Sequence, residues 1–183
     1  MSEYPKDQLK SCGEDVWINS PVSIRRPANV AIGSHVGIDE FFVCTTQLTV
    51  GDHVHISPHV TIIGGAAGSL TMGNFTNISA CGMIVCASDA FHGEGLIGIG
   101  IPDEYHDRTI NEPVVFEDFA NTGVNVTILP GVTLPEGVAI GACSLVKKKD
   151  ILKPWTIYAG NPLREIGPRD KEKMLAAAKA MGY

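Results

Sequence analysis

Counting by sixes from Ile32 lands on Ile38, Cys44, Val50, Ile56 and Ile62. The positions four beyond each are Val36, Phe42, Leu48, Val54, Val60 and Ala66. All twelve are apolar in a chain that is 44% hydrophobic, a coincidence expected on the order of once in ten thousand. A second block carries Met72, Ile78 and Ile84, with Thr76, Gly82 and Ser88 four residues on. A third carries Phe116, Thr122, Ile128, Leu134, Ile140 and Val146, with Ala120, Val126, Val132, Val138 and Ser144. An α-helix repeats its apolar stripe at 3.6 residues, so a six-residue step drifts around it. No run alternates long enough for an ordinary half-buried strand. Short strands joined by tight corners fit. Three six-residue sides close one triangular coil, and coils stack at the spacing of paired strands, roughly 4.8 Å. Each coil buries its inward side chains against the next, as in any solenoid.

The breaks in phase mark where the chain leaves the coil. Gly64-Gly65-Ala66-Ala67 supplies four extra residues between Ile62 and Met72. A longer excursion, about residues 88–112, separates the second block from the third. Both leave one side of the prism, one coil apart, and loops gathered on a rigid scaffold are where function is expected. The pattern predicts an all-β parallel β-helix over residues 20–166, a segment 1–19 before it, and a helix over 167–183. That helix, with its Ala176-Ala177-Ala178 run, is expected to cover the open end of the stack.

Charge and composition exclude several classes. The net charge is −6 and the longest basic run is Lys147-Lys148-Lys149, which argues against a nucleic-acid partner. No apolar stretch reaches the ~18 residues of a transmembrane segment. Residues 1–10 are polar and do not read as a signal peptide, so a cytoplasmic protein is expected. The five cysteines are odd in number and lack metal-ligand spacing, which suits reduced thiols.

Three further segments carry a resemblance: Leu129-Pro130-Gly131-Val132-Thr133-Leu134, Gly141-Ala142-Cys143-Ser144-Leu145-Val146-Lys147-Lys148, and Ala159-Gly160-Asn161-Pro162. With the hexapeptides, they resemble the maltose/galactoside O-acetyltransferase group, and more closely its short members from polysaccharide and lipopolysaccharide biosynthesis. The resemblance covers about residues 20–166. It implies a left-handed coil, acetyl-CoA as co-substrate without a metal, a sugar or nucleotide-sugar acceptor, and a homotrimer with active sites between subunits. The His-Pro motif of that group becomes Phe91-His92-Gly93 here, and the Trp of many relatives before a late Ile-Gly becomes Asn121.

Acyl transfer to a hydroxyl needs a proton acceptor, and imidazole titrates near neutral pH. His92, at the start of the long loop, is the candidate base, with His106 in reserve. Asp89 either serves this site or caps a turn. The donor site implied by the resemblance comprises Val124, Gly141, Ala142, Lys147, Lys148 and Arg164. Gly141 and Ala142 would present backbone amides to the pantetheine arm, and the lysines and Arg164 would meet the phosphates and nucleotide end. His35 and His53, one coil apart, read as a stacked pair because Phe75 follows at that phase where a third metal ligand would be needed. Cys44 is a core position, and Cys143 has no base beside it to make it a nucleophile. The alternative reading of the chain is a non-catalytic β-helix scaffold.

Overall fold

The computed structural model describes residues 3–183. Most of its strands fall into three sheets, paired in parallel from coil to coil, that form the sides of a left-handed triangular prism of about seven coils. The first side holds Ser11–Cys12, Val30–Ile32, Gln47–Val50, Ser69–Met72, Val114–Phe116 and Thr133–Leu134. The second side runs from Val16–Ile18 to Thr156–Ala159, and the third from Ser23–Ile24 to Leu145–Val146. Edges I, II and III join the first to the second, the second to the third, and the third to the first of the next coil.

Parallel register stacks like on like. On the third side Cys44 pairs with Ile62, Ile62 with Ile84, Ile84 with Ile128, and Ile128 with Val146. Every one of these side chains is fully buried. Each isoleucine and valine in the column contributes roughly 1.5–3 kcal/mol by leaving water. Of the twelve positions in the first apolar pattern, eleven are buried. Ala66 is exposed, because the four extra residues carry it out of the stack.

The coil begins at Ser11, inside the stretch assigned to the preceding segment 1–19. Ile18 pairs with Ile38 and Ile24 with Cys44, so the first coil is longer by two than the regular repeat. The additional pair, at the Pro27–Asn29 3₁₀ turn, hides this coil from a count by sixes. At the other end the helix Lys171–Ala180 does not cover the stack. An antiparallel strand, Arg164–Pro168, pairs with Thr156–Ala159 and occupies the terminal edge of the second side. The helix lies along edge I instead. Asp170 caps its start, and Ala178 packs into a cluster with Phe119 and Trp155.

Edge I explains that placement. Corners on edges I and II are turned by left-handed residues; among the described residues twelve non-glycine residues adopt this backbone, all but Phe91 at such corners, including His35, His53, Phe75, Phe119 and Trp155. Such conformations cost of order 1 kcal/mol or more each. Ring stacking offsets this: His35 on His53 at 4.6 Å, His53 on Phe75 at 5.0 Å, Phe75 on Phe119 at 5.1 Å. Tyr183 closes edge-on over His53 and Phe75, and its hydroxyl bonds Asp52. Arg169 donates to the carbonyls of Phe119 and Gly137 and to the side chain of Asn121, each at 2.9 Å. Burial lowers its pKa. Among the described residues no helix is long and apolar enough to cross a membrane.

Gly137 sits in the same ladder at φ 68°, and a Cβ there would stand 2.3 Å from the Trp155 ring. Gly65 has a similar φ of 61° with open space around it. Gly137→Ala is expected to lose about 2–4 kcal/mol, from strain and overpacking together, against about 1 kcal/mol for Gly65→Ala. Denaturant unfolding of the two variants checks the difference. Equal losses would show that Trp155 yields freely.

Candidate active site

All irregularities of the third-to-first turns collect along edge III. Ile62 and Ile84 are paired although the chain between them exceeds one coil by four. Ile84 and Ile128 are paired although the excess there is longer than a whole further coil. The long excursion is not a bare loop. Ala87–Asp89 and Thr109–Asn111 form an antiparallel stem that stands off the prism. Beyond it, Leu96 bridges to His106 and Asp107, folding the tip back on itself. Asp107 is buried; one carboxylate oxygen accepts from the Arg108 N–H, and the other has no partner among the described residues.

The stem divides two hollows. The smaller, about 500 Å³, lies toward the Gly64–Ala67 bulge. The larger, about 710 Å³, lies toward Leu129, Pro130 and Lys148. Ser88, Asp89, Thr109 and Asn111 line both. Gly64 and Gly68 let the bulge fold tightly at this edge, since a Cβ on either would fall within 3.0 Å of neighbouring atoms, Thr46 Oγ1 among them. Lys148 Nζ reaches Glu112 at 2.8 Å and ties the stem to the last coil.

Asp89 is half-buried, and its carboxylate has no hydrogen bond or ion pair among the described residues. His92 is exposed, lines neither hollow, and has no partner among the described residues. His106 faces the Asp107 carbonyl with Nδ1 at 2.8 Å and also lies outside both hollows. Within one chain, then, Asp89 and not a histidine occupies the concave surface.

The candidate donor residues divide between two edges. Val124, Gly141 and Ala142 come together on edge II. The Cys143 N–H donates to the Val124 carbonyl at 2.9 Å, and a Cβ on Gly123 would meet the Ala142 nitrogen at 2.7 Å. Gly141 lies against Ala159, whose strand partner is Arg164, so Arg164 belongs to this end as well. Lys147 and Lys148 are on edge III with Asp89. The third side, about five residues and so roughly 16 Å across, separates the two groups.

Glu112, Arg108 and Asn111 line the larger hollow and were not legible in the sequence. They sit on or beside the short return strand of the stem, which has no apolar rhythm, and no count by sixes reaches it. Cys44 and Cys86 are buried below the bulge, and burial pushes the Cys86 thiol up to about 12. His35 and His53 stack, and among the described residues no three His, Cys, Asp or Glu side chains converge on a metal site.

No family model matches the chain. It is 32% identical over 168 residues to the dTDP-4-amino-4,6-dideoxy-D-glucose acyltransferase of Escherichia coli, spanning 90% of this chain and 84% of that one. The galactoside O-acetyltransferase of Escherichia coli K12 is 28% identical over 175 residues, 91% of this chain and 68% of that one. Among solved structures, the N-acyltransferase AntD of Bacillus cereus, bound to dTDP and coenzyme A, superimposes with a TM-score of 0.89 at 31% identity. The match covers 99% of this chain and 98% of that one. Structures of AntD include variants at one aspartate and at a serine ten positions before it.

Cys81 and Cys143 are exposed, whereas Cys44 and Cys86 are buried. At pH 8 a thiol reagent is expected to modify Cys81 and Cys143 in the folded protein and to reach Cys44 and Cys86 only after denaturation. Peptide mass spectrometry reads this directly. Early labelling of Cys86 would contradict the packing described beneath the bulge.

Proposed function

The chain belongs to the hexapeptide-repeat sugar acyltransferases of left-handed β-helix fold, and from that premise we propose that it N-acetylates a nucleotide-linked amino sugar, with acetyl-CoA as donor. The observation that carries the choice of an amine is Asp89, a carboxylate without a protein partner in the hollow at the loop stem. Both the Escherichia coli relative and AntD act on, or bind, sugars of this class. Asp89 also stands ten residues after Ser79, the spacing of the two positions varied in AntD.

The chemistry follows from the charge. A neutral amine attacks the thioester carbonyl, and positive charge develops on nitrogen as the C–N bond forms. Asp89 stabilises that charge and takes the proton, which is far more acidic in the adduct than in the free ammonium. Collapse breaks the C–S bond, and the departing thiolate of coenzyme A takes up a proton. A hydroxyl acceptor would instead need its proton removed during attack, the role expected of His92.

The donor groups of edge II and the hollow of edge III flank opposite margins of one sheet, so a single chain does not join them. A second copy can. The outward residues of the third side include Val43, Ile63, Met83, Val85 and Leu145, whereas the second side shows His55, Asn77 and Asn121. The proposed assembly is a homotrimer packed through the apolar side, with edge II of one copy facing edge III of the next. Ser79 is on edge II, which sets it against Asp89 in this arrangement. Of the outward phenylalanines at the prism corners, the chain's own helix covers Phe119 and partly covers Phe75, while Phe41 at edge II is exposed. Lys147 and Lys148 then meet the donor phosphates of the neighbouring copy, and Arg164 those of its own.

Asp89→Asn is expected to lower turnover on a nucleotide-linked amino sugar by about 10²- to 10⁴-fold, the usual worth of a positioned proton acceptor. His92→Ala is expected to change it little, with acetyl-CoA affinity unaltered in both. Thiol-release kinetics check this; the reverse ranking would return the role to His92 and favour a hydroxyl acceptor. Light scattering at micromolar concentration is expected to give three times the chain mass, and a monomer would remove the shared site.

A further inference from the structure

The larger hollow has four ionisable side chains: Asp89, Arg108, Glu112 and Lys148. Two of them neutralise each other, with Lys148 on Glu112 at 2.8 Å. The other two, one carboxylate and one guanidinium, make no side-chain hydrogen bond or ion pair among the described residues. They stand on neighbouring strands of the stem: Asp89 opposes Thr109, and the Ala90 N–H donates to the Arg108 carbonyl at 2.8 Å. Strand alternation aims the two side chains to opposite faces of the stem, and both residues line the larger hollow.

An unpartnered carboxylate and an unpartnered guanidinium lining one hollow suit a ligand that carries both an amine and a phosphate group. The volume of about 710 Å³ also exceeds what a lone monosaccharide fills, and lies within the range of ~300–1,000 Å³ usual for larger ligands. We infer that Arg108 is a specificity-determining residue that holds the diphosphate of the acceptor while Asp89 holds its amine. This rests on the acceptor reading given above and adds the residue that recognises the nucleotide-linked end. A guanidinium suits that role because it stays charged at all working pH and offers paired N–H donors to two phosphate oxygens. Lys148, which faces Glu112 in the single chain, is assigned above to the donor phosphates and leaves the acceptor end to Arg108.

The decisive measurement is calorimetric binding of thymidine diphosphate and of thymidine, in the presence of coenzyme A. The wild-type protein is expected to prefer the diphosphate by about tenfold or more, the worth of a direct charge-assisted contact. In Arg108→Ala and Arg108→Gln that preference is expected to fall close to unity, with thymidine and coenzyme A affinities unchanged. Arg108 is exposed, and unchanged coenzyme A binding reports that the variants fold. A preference that survives both substitutions overturns the assignment of Arg108. If the wild-type protein nonetheless acetylates the nucleotide-linked amino sugar, the acceptor reading stands and only Arg108 is wrong. A wild-type protein with no preference for the diphosphate and no such activity rejects both.

Discussion

Vertical alignment of inward side chains is the constraint on which everything else depends. A coil of three short strands has no stability alone, since each strand is two to four residues long in most coils. Stability comes only when Cys44, Ile62, Ile84, Ile128 and Val146, and the columns like them, bury against one another. A slip of one residue would turn a whole column outward. Every extra residue must therefore be expelled at a corner, and the corners must be held.

The three edges are held differently. Edge I uses stacked rings, and its ladder is continued past Gly137 by Trp155, whose ring reaches Phe119 at 5.5 Å. A second device runs beside it: the side chains of Asp52, Asn74 and Asp118 each accept a backbone N–H from the preceding coil, at 2.7 to 2.8 Å. Gly33, Gly51 and Gly73 leave room for these acceptors, for a Cβ at each would come within 2.3–2.6 Å of one. These polar groups would be costly if left unpaired inside a stacked corner. Edge III has neither ladder, and the chain departs there.

The fold was legible because two apolar positions in every six is a strong, additive signal. Ile32 to Ile62 and Phe116 to Val146 located the coils directly. The first coil escaped because the extra pair at Pro27–Asn29 breaks the count, and the helix was misplaced because its target, a ladder of rings, exists only after folding. The site was legible in part. The stem could be located as an interruption, and Asp89 was singled out at its start. Arg108 and Glu112 could not be, since an antiparallel return inside an interruption has no period. His92 stood out by residue type, yet type alone did not indicate that it is exposed and lines neither hollow.

The confinement of irregularity to one edge has a consequence for how such a protein can change. Two edges are locked to the repeat. The third has absorbed additions ranging from a single pair to more than a full coil, without disturbing a single column. The loop stem and bulge form a margin in which length is nearly free, and edge II, where Val124, Gly141 and Ala142 lie, is bound by the repeat. Descendants of such a chain can rewrite which molecule enters at the margin while the bound edge passes on almost unaltered. The prism thus separates heritable novelty from heritable constancy by geometry alone.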